Sequence, residues 1–123
     1  MKTKVLIVED EALLALSYKL SLEKKNIQVT GIVATGEDAV RESERERPDV
    51  VLMDIKLGGS IDGIEAARIL SVTQGVPCLF ITGNADETTK NRALKLVGPL
   101  RYLVKPVDSD SLGITIENMV NRI

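Results

Sequence analysis

The sequence is constrained most strongly by a regular alternation of short apolar runs and longer segments rich in helix-forming residues. Five runs, each followed by polar residues, predict β-strands: residues 5–8, 27–33, 50–53, 77–81 and 100–104. Helices are predicted between and after them: residues 11–25, about 37–46, from 62 onward, 84 to about 97, and about 109–122. Strands that alternate with helices predict an α/β fold with a parallel sheet covered on both faces. A length of 123 residues predicts a single domain, residues 1–123.

The apolar spacing within these segments predicts which side chains form the core. Leu13, Leu16 and Leu20 lie at positions i, i+3 and i+7 of the first predicted helix, the spacing of one helix face. We therefore expect these three leucines in the core, together with Phe80 of the fourth strand.

Capping residues, one glycine and one proline predict where several helices begin and end. Asp62 and Glu65 have the spacing of a capping box, which predicts a helix beginning at this point. Asn84 is expected to cap the next helix and Gly98 to end it. Pro48 should end the second helix, because a proline inside a helix removes a hydrogen bond and clashes with the preceding turn.

Composition excludes several classes of site. The chain has no histidine, which excludes histidine bases, Ser-His-Asp triads and histidine-ligated zinc or haem. Its single cysteine, Cys78, excludes an internal disulfide and a multi-cysteine metal site. The net charge of −2 argues against a nucleic-acid surface. No apolar run approaches the roughly 18 residues that a membrane span needs, so we expect a cytoplasmic protein that contacts neither membrane nor nucleic acid.

Four of the five predicted strands end in side chains that can carry chemistry. Glu9 and Asp10 follow the first strand, Asp54 the third, Thr82 the fourth and Lys105 the fifth. In a parallel α/β sheet, the working site lies at the carboxyl ends of the strands. If the first and third strands are neighbours, three carboxylates meet there and repel one another unless a cation lies among them.

Such an oxygen-rich cluster suits Mg²⁺ or a similar hard ion. Asp54 could then act as a nucleophile that forms an acyl phosphate. Lys105 would supply a positive charge for phosphoryl oxygens, and Thr82 would supply a hydroxyl donor.

Each of these residues also has a structural interpretation. Glu9 and Asp10 could be acids at the start of the first helix. Thr82 alone would be an ordinary strand residue or a cap, and Lys105 alone a solvated charge. Tyr102, in the fifth predicted strand, would alone be a half-buried strand aromatic. The convergence of the strand-end residues on one sheet edge favours the functional interpretation.

Four motifs in order resemble the receiver domain of two-component response regulators. They are VLIVEDE at 5–11, VVLMDIKLGG at 50–59, LFITGNAD at 79–86 and YLVKP at 102–106. The resemblance covers essentially the whole chain. It implies a flavodoxin-like, doubly wound (βα)5 fold with a five-stranded parallel sheet of order 2-1-3-4-5.

The same resemblance implies a set of site residues. Asp54 would accept a phosphoryl group from a sensor histidine kinase or a histidine phosphotransfer protein. Asp10 would bind Mg²⁺ directly, Glu9 through water, and Asp54 and the backbone carbonyl of Lys56 would complete the site. The domain would catalyse its own phosphotransfer and dephosphorylation without being a conventional enzyme.

A switch is implied as well. Lys105 would contact the phosphoryl group, and its bond to Pro106 would be cis. Thr82 would move toward the phosphoryl oxygens, and Tyr102 would turn inward. The surface of the fourth helix, fifth strand and fifth helix would then change for a downstream protein that the sequence does not identify.

Other functions remain as alternatives. A receiver-like interaction module that works without phosphorylation would not need the full set of Asp54, Thr82 and Lys105. A phosphatase of the haloacid dehalogenase type needs Asp-x-Asp, whereas Lys56 stands at the second position. A flavin carrier needs hydroxyl and amide donors after the first strand and stacking aromatics, of which the chain has three in all. The absence of a Walker-type motif gives no support for direct use of ATP.

Overall fold

The computed structural model describes residues 2–83, 87–97 and 101–121. Within these ranges the chain forms five strands: β1 (Lys4–Val8), β2 (Gln28–Val33), β3 (Val50–Asp54), β4 (Cys78–Thr82) and β5 (Tyr102–Val104). The same described residues form five helices that alternate with the strands: α1 (Ala12–Lys24), α2 (Gly36–Glu46), α3 (Gly63–Gln74), α4 (Glu87–Val97) and α5 (Ser109–Val120). The predicted roles of Asn84 and Gly98 at the ends of α4 concern positions outside the described residues.

The sheet confirms the expected topology. All strand pairs are parallel, and the order is β2-β1-β3-β4-β5. β2 lies on one side of β1, and β3 and the later strands lie on the other side. The strand order therefore reverses between β1 and β3, which is the topological switch point of the sheet. Ligand sites in open α/β sheets form at this position, outside the carboxyl ends of the strands.

Burial follows each strand's place in the sheet. The residues of β1, β3 and β4 are buried almost throughout, which matches their continuous apolar sequences. β2 and β5 are edge strands, and they expose Ile32 and Val104. The prediction of apolar strands buried on both faces is therefore right for the three central strands and wrong for the two edges.

The sheet separates two apolar layers. On one face, α1 and α5 pack against alternate residues of the sheet and contact each other. On the other face lie α2, α3 and α4, in a layer that includes Ala39, Leu70 and Ala93. Phe80 is buried in this second layer, as expected.

The assignment of three leucines to the core is wrong. Leu13, Leu16 and Leu20 lie on the solvent side of α1, with 84%, 47% and 54% of their surfaces exposed. The buried positions of α1 are instead Ala15, Tyr18 and Leu22. This second set has the same i, i+3, i+7 spacing, displaced by two residues, so the periodicity alone does not identify the buried face.

The local signals at α2 and α3 are largely confirmed. Asp62 caps α3 by accepting a hydrogen bond from the backbone N–H of Glu65 at 3.0 Å. The reciprocal half of the capping box is replaced, because the Glu65 carboxylate pairs with Arg68. α2 ends at Glu46, two residues before Pro48. No helix in the described part of the chain is long and apolar enough to cross a membrane.

Candidate functional site

The carboxyl ends of β1 and β3 bring three acidic side chains together. Val8 is paired with Met53, so the next residues along the two strands emerge side by side. Glu9, Asp10 and Asp54 each offer a carboxylate oxygen, and these oxygens lie within 4.8 Å of one another. The expected acidic cluster is therefore present.

The three acids have different environments. Glu9 and Asp54 are buried, whereas Asp10 is exposed. Burial raises the pKa of Glu9 to about 7. The backbone N–H of Glu11, which donates to Glu9 Oε2 at 3.2 Å, opposes this shift, and the neighbouring charge of Asp54 adds to it. In the metal-free protein, one acid of the cluster is therefore protonated in much of the population near neutral pH.

Lys105 is the cation of the site. Its Nζ lies 3.3 Å from Asp54 Oδ2 and 3.4 Å from Glu9 Oε1. Burial disfavours the charged ammonium group, but the carboxylates of Asp54 and Glu9 outweigh this effect and raise the pKa of Lys105. The lysine stays protonated and holds one positive charge against the acidic cluster.

Asp54 is held from both sides. Its Oδ1 accepts a hydrogen bond from the backbone N–H of Lys56 at 3.2 Å, and its Oδ2 accepts one from Lys105. Both oxygens therefore have donors, and the carboxylate points toward the edge where Glu9 and Asp10 lie.

The ends of β4 and β5 complete the edge. Thr82 is buried at the end of β4, and its carbonyl accepts a hydrogen bond from the backbone N–H of Lys105 at 2.8 Å. The peptide bond between Lys105 and Pro106 is cis, as the family resemblance implied. All four strand ends named from the sequence thus meet at one edge of the sheet.

Gly63 places α3 directly against the acceptor strand. A Cβ atom at this position would lie 2.0 Å from the backbone carbonyl oxygen of Asp54. The Gly63 N–H donates to the carbonyl of Ile55 at 2.9 Å. Only glycine allows this close approach, so the start of α3 is fixed relative to Asp54.

Tyr102 lies on β5 and is 38% exposed. The Lys90 Nζ of α4 lies 5.2 Å from the centre of its ring, within the range of a cation–π contact. The tyrosine is therefore turned toward α4 and solvent in this structure, rather than inward.

Sequence reasoning missed two features near the site. Tyr18 lies on the buried face of α1, and burial raises its pKa, while the charge of Lys105 opposes this shift and the charge of Glu9 adds to it. The only sequence signal for a buried Tyr18 was its place in the second set of α1 residues with helical spacing, Ala15, Tyr18 and Leu22. Glu37 of α2 binds Ser60 in the loop after β3, a contact across 23 residues for which the sequence carried no signal.

The donor set suits a hard divalent cation. Three carboxylates and one ammonium group leave a net charge of −2 when all are ionised, and oxygen ligands of this kind are those that Mg²⁺ prefers. Glu9, Asp10 and Asp54 are the residues that would hold the ion.

Comparison with known proteins identifies a family of the kind that the motifs resemble. Residues 5–117 match the model of the response regulator receiver domain. Protein PilH of Pseudomonas aeruginosa is 37% identical over 116 residues, which cover 92% of this chain and 93% of PilH. Transcriptional regulatory protein PdtaR of Mycobacterium tuberculosis is 34% identical over 119 residues. These cover 97% of this chain but 57% of PdtaR, so the chain spans little more than half of that relative.

A solved structure agrees closely. The signal receiver domain of a modulated diguanylate cyclase from Desulfovibrio desulfuricans G20 superposes with a TM-score of 0.90 at 42% identity. The match covers 98% of this chain and 94% of the other.

Proposed function

This chain belongs to the family of response regulator receiver domains, and on that premise we propose that it is a switch phosphorylated on Asp54. Receiver domains of response regulators are phosphorylated by histidine kinases on an aspartate and generally bind Mg²⁺. The single observation that carries the assignment is the meeting of Asp54 with Glu9, Asp10 and Lys105 at one sheet edge.

The chemistry follows from the charges at this edge. A carboxylate oxygen of Asp54 attacks the phosphorus atom of a phosphohistidine, and a new O–P bond forms. The P–N bond breaks, and its electron pair returns to the histidine nitrogen of the donor. Lys105, 3.3 Å from Asp54 Oδ2, is placed to balance the negative charge of the transferred group. When bound, Mg²⁺ supplies further positive charge for the phosphoryl oxygens.

We assign the metal ligands as the family resemblance implies. Asp10 would bind Mg²⁺ directly, Glu9 would bind it through water, and Asp54 and the backbone carbonyl of Lys56 would complete the set. The cluster of three carboxylates supports this assignment. In a separate step, water attacks the phosphorus atom of the acyl phosphate, the O–P bond to Asp54 breaks, and inorganic phosphate and the free carboxylate of Asp54 are formed.

For the switch, we propose that Thr82 donates its hydroxyl to the phosphoryl group and that Tyr102 then turns inward. The outward position of Tyr102 against Lys90 supports an inactive starting state. The consequence would be a changed surface on α4, β5 and α5 for a downstream protein.

The exposed side of α1 supports a docking role for the phosphodonor. Leu13 and Leu16 are exposed on α1, whose first residue is Ala12, two residues after Asp10 of the site. A protein that delivers phosphohistidine to Asp54 must cover this edge, and an apolar face beside it offers contact area. Leu16→Ser should slow transfer from a phosphorylated histidine phosphotransfer protein but not from acetyl phosphate. Val72→Ser, at an exposed apolar position of α3, is the matched control.

The decisive test of the function is intact mass after incubation with acetyl phosphate. A base-labile phosphoryl adduct that requires Mg²⁺ and is lost in Asp54→Asn is the expected result. Absence of an adduct together with absence of a beryllofluoride complex, in folded protein, would favour an interaction module that works without phosphorylation.

A further inference from the structure

The loop between β3 and α3 connects the acceptor Asp54 to the start of α3 and carries Lys56. Its first part is held by the sheet, since the Ile55 N–H donates to the carbonyl of Ile81 at 3.3 Å. Its last part is held by the cap of α3 at Asp62. In the middle, residues 57–61, Leu57 and Ile61 pack against the apolar layer that contains Leu70, and further contacts hold the residues between them.

Those contacts come from the first turn of α2. The backbone of Thr35 forms an isolated parallel bridge with Gly58. Gly36 packs so tightly on Ile61 that a Cβ atom would lie 2.7 Å from a side-chain carbon of Ile61. The start of α2 is itself fixed, because Thr35 Oγ1 accepts a hydrogen bond from the Asp38 N–H at 3.1 Å.

Glu37 makes the only side-chain hydrogen bonds from the first turn of α2 to this loop among the described residues. Its Oε2 accepts from the Ser60 hydroxyl at 2.6 Å and from the Ser60 N–H at 3.1 Å. These two bonds, the hydroxyl first, hold the pKa of Glu37 down at about 2, so the carboxylate stays ionised at physiological pH. Charge-assisted bonds of this type are stronger than neutral ones.

Gly59, next to Ser60, has a backbone conformation and a close contact that favour glycine. Its φ of +93° lies in the left-handed region, and a Cβ atom there would lie 3.0 Å from Glu37 Oε1. The loop is therefore shaped to bring Ser60 onto Glu37.

From these contacts we infer that Glu37 is a positioning residue for the metal site: by holding Ser60 it fixes the loop that presents the Lys56 carbonyl to Mg²⁺. The inference rests on the proposed function, because it assumes that the loop contributes an oxygen to the ion. Outer groups that orient metal ligands typically change affinity by about 10- to 100-fold when they are removed.

The test is Mg²⁺ affinity in the absence of any phosphodonor. Metal-free protein is titrated with MgCl₂ at pH 8, with calorimetry and the NMR shift of the Lys56 amide as readouts. We expect Glu37→Ala to raise the dissociation constant for Mg²⁺ by about tenfold. Ser60→Ala should raise it by less, because it removes the hydroxyl bond but keeps the bond from the Ser60 N–H to Glu37. The double variant should bind Mg²⁺ no more weakly than Glu37→Ala alone, since Ser60 acts through Glu37.

Glu44→Ala is the matched control. Glu44 is exposed on the same helix, and its replacement removes the same charge without touching the loop. Its Mg²⁺ affinity should equal that of the unchanged protein. Glu37→Asp keeps the charge on a shorter side chain, so this variant should bind Mg²⁺ more weakly than the unchanged protein.

Three outcomes overturn the inference. If Glu37→Ala lowers the melting temperature but binds Mg²⁺ as tightly as Glu44→Ala, then the contact only stabilises the fold. If the effects of Glu37→Ala and Ser60→Ala add fully, then the two residues do not act through one contact. If the unchanged protein binds no Mg²⁺, the proposed function fails and the inference fails with it.

Discussion

Glu9 should make the metal-free protein less stable as the pH rises. The folded protein holds this carboxyl at a pKa of about 7, because the side chain is buried next to Asp54, whereas the ordinary value is 4.5. The folded state therefore binds a proton more tightly than the unfolded state. Its contribution to stability is fully present below pH 4.5 and is lost as the pH rises through about 7. The difference in pKa corresponds to about 3 kcal/mol of unfolding free energy.

The assay is urea unfolding followed by circular dichroism, in EDTA, at steps from pH 5 to pH 8.5. The chain has no histidine, so no imidazole titrates in this window. Glu37, Asp62, Glu65 and Asp108 have lowered pKa values and lose their contributions only at more acidic pH. Over the window, the unfolding free energy should fall by up to about 3 kcal/mol.

Glu9→Gln is the test variant and Glu11→Gln the control. Glutamine keeps the size of the buried side chain but cannot ionise, so Glu9→Gln should show a much flatter profile and exceed the unchanged protein in stability at pH 8. Glu11 is exposed, and Glu11→Gln should keep the full pH dependence. Parallel profiles for Glu9→Gln and the unchanged protein would refute the assignment of the slope to Glu9.

Mg²⁺ should reverse this effect, because the ion binds the ionised form. Below pH 7, each unit of acidification should weaken the apparent Mg²⁺ affinity by about tenfold, as one proton competes with the ion. The gain in stability from 10 mM MgCl₂ should accordingly be larger at pH 8 than at pH 6. An affinity that does not change with pH would show that the ion leaves Glu9 protonated.

Three further substitutions test the framework of the site. Gly63→Ala should lower the unfolding free energy by at least about 2 kcal/mol and reduce labelling by acetyl phosphate, because the added methyl group would clash with the Asp54 carbonyl. Urea unfolding measures the first effect and intact mass the second. Leu70→Ala should cost about 2–5 kcal/mol in urea unfolding, since Leu70 is fully buried in the layer under α3. Thr35→Ala should cost about 1 kcal/mol through loss of the cap on Asp38, with faster amide exchange in the first turn of α2.

The parts of the site that the sequence predicted are those set by strand ends. A parallel sheet brings the residues after β1, β3, β4 and β5 to one edge whatever the details of the loops. Asp54, Thr82 and Lys105 therefore needed only the strand assignments and the strand order to be placed together. The order itself came from the resemblance of four motifs, since apolar runs alone do not specify which strands are neighbours.

Contacts between a helix and a distant loop or helix start could not be predicted from the sequence. The bond between Glu37 and Ser60 joins residues 23 positions apart, and neither residue belongs to a periodic pattern. The ion pair of Arg92 with Asp62 joins α4 to the start of α3 across 30 residues. Such contacts depend on the distance between elements after packing, and propensity and periodicity carry no information on that distance.

The helix α1 shows where periodicity itself fails. Leucines at 13, 16 and 20 and the residues at 15, 18 and 22 form two stripes of equal spacing, and the second stripe is the one that is buried. An amphipathic helix has one apolar face, and its pattern identifies the core side; α1 is apolar on two faces, so the pattern is degenerate. The side with Tyr18 is buried because α5 and the sheet pack there. The face of α1 with the three leucines is exposed to water, and an exposed apolar patch of this kind is typical of an interaction site. Because this face begins beside Asp10, we expect the phosphodonor to cover it.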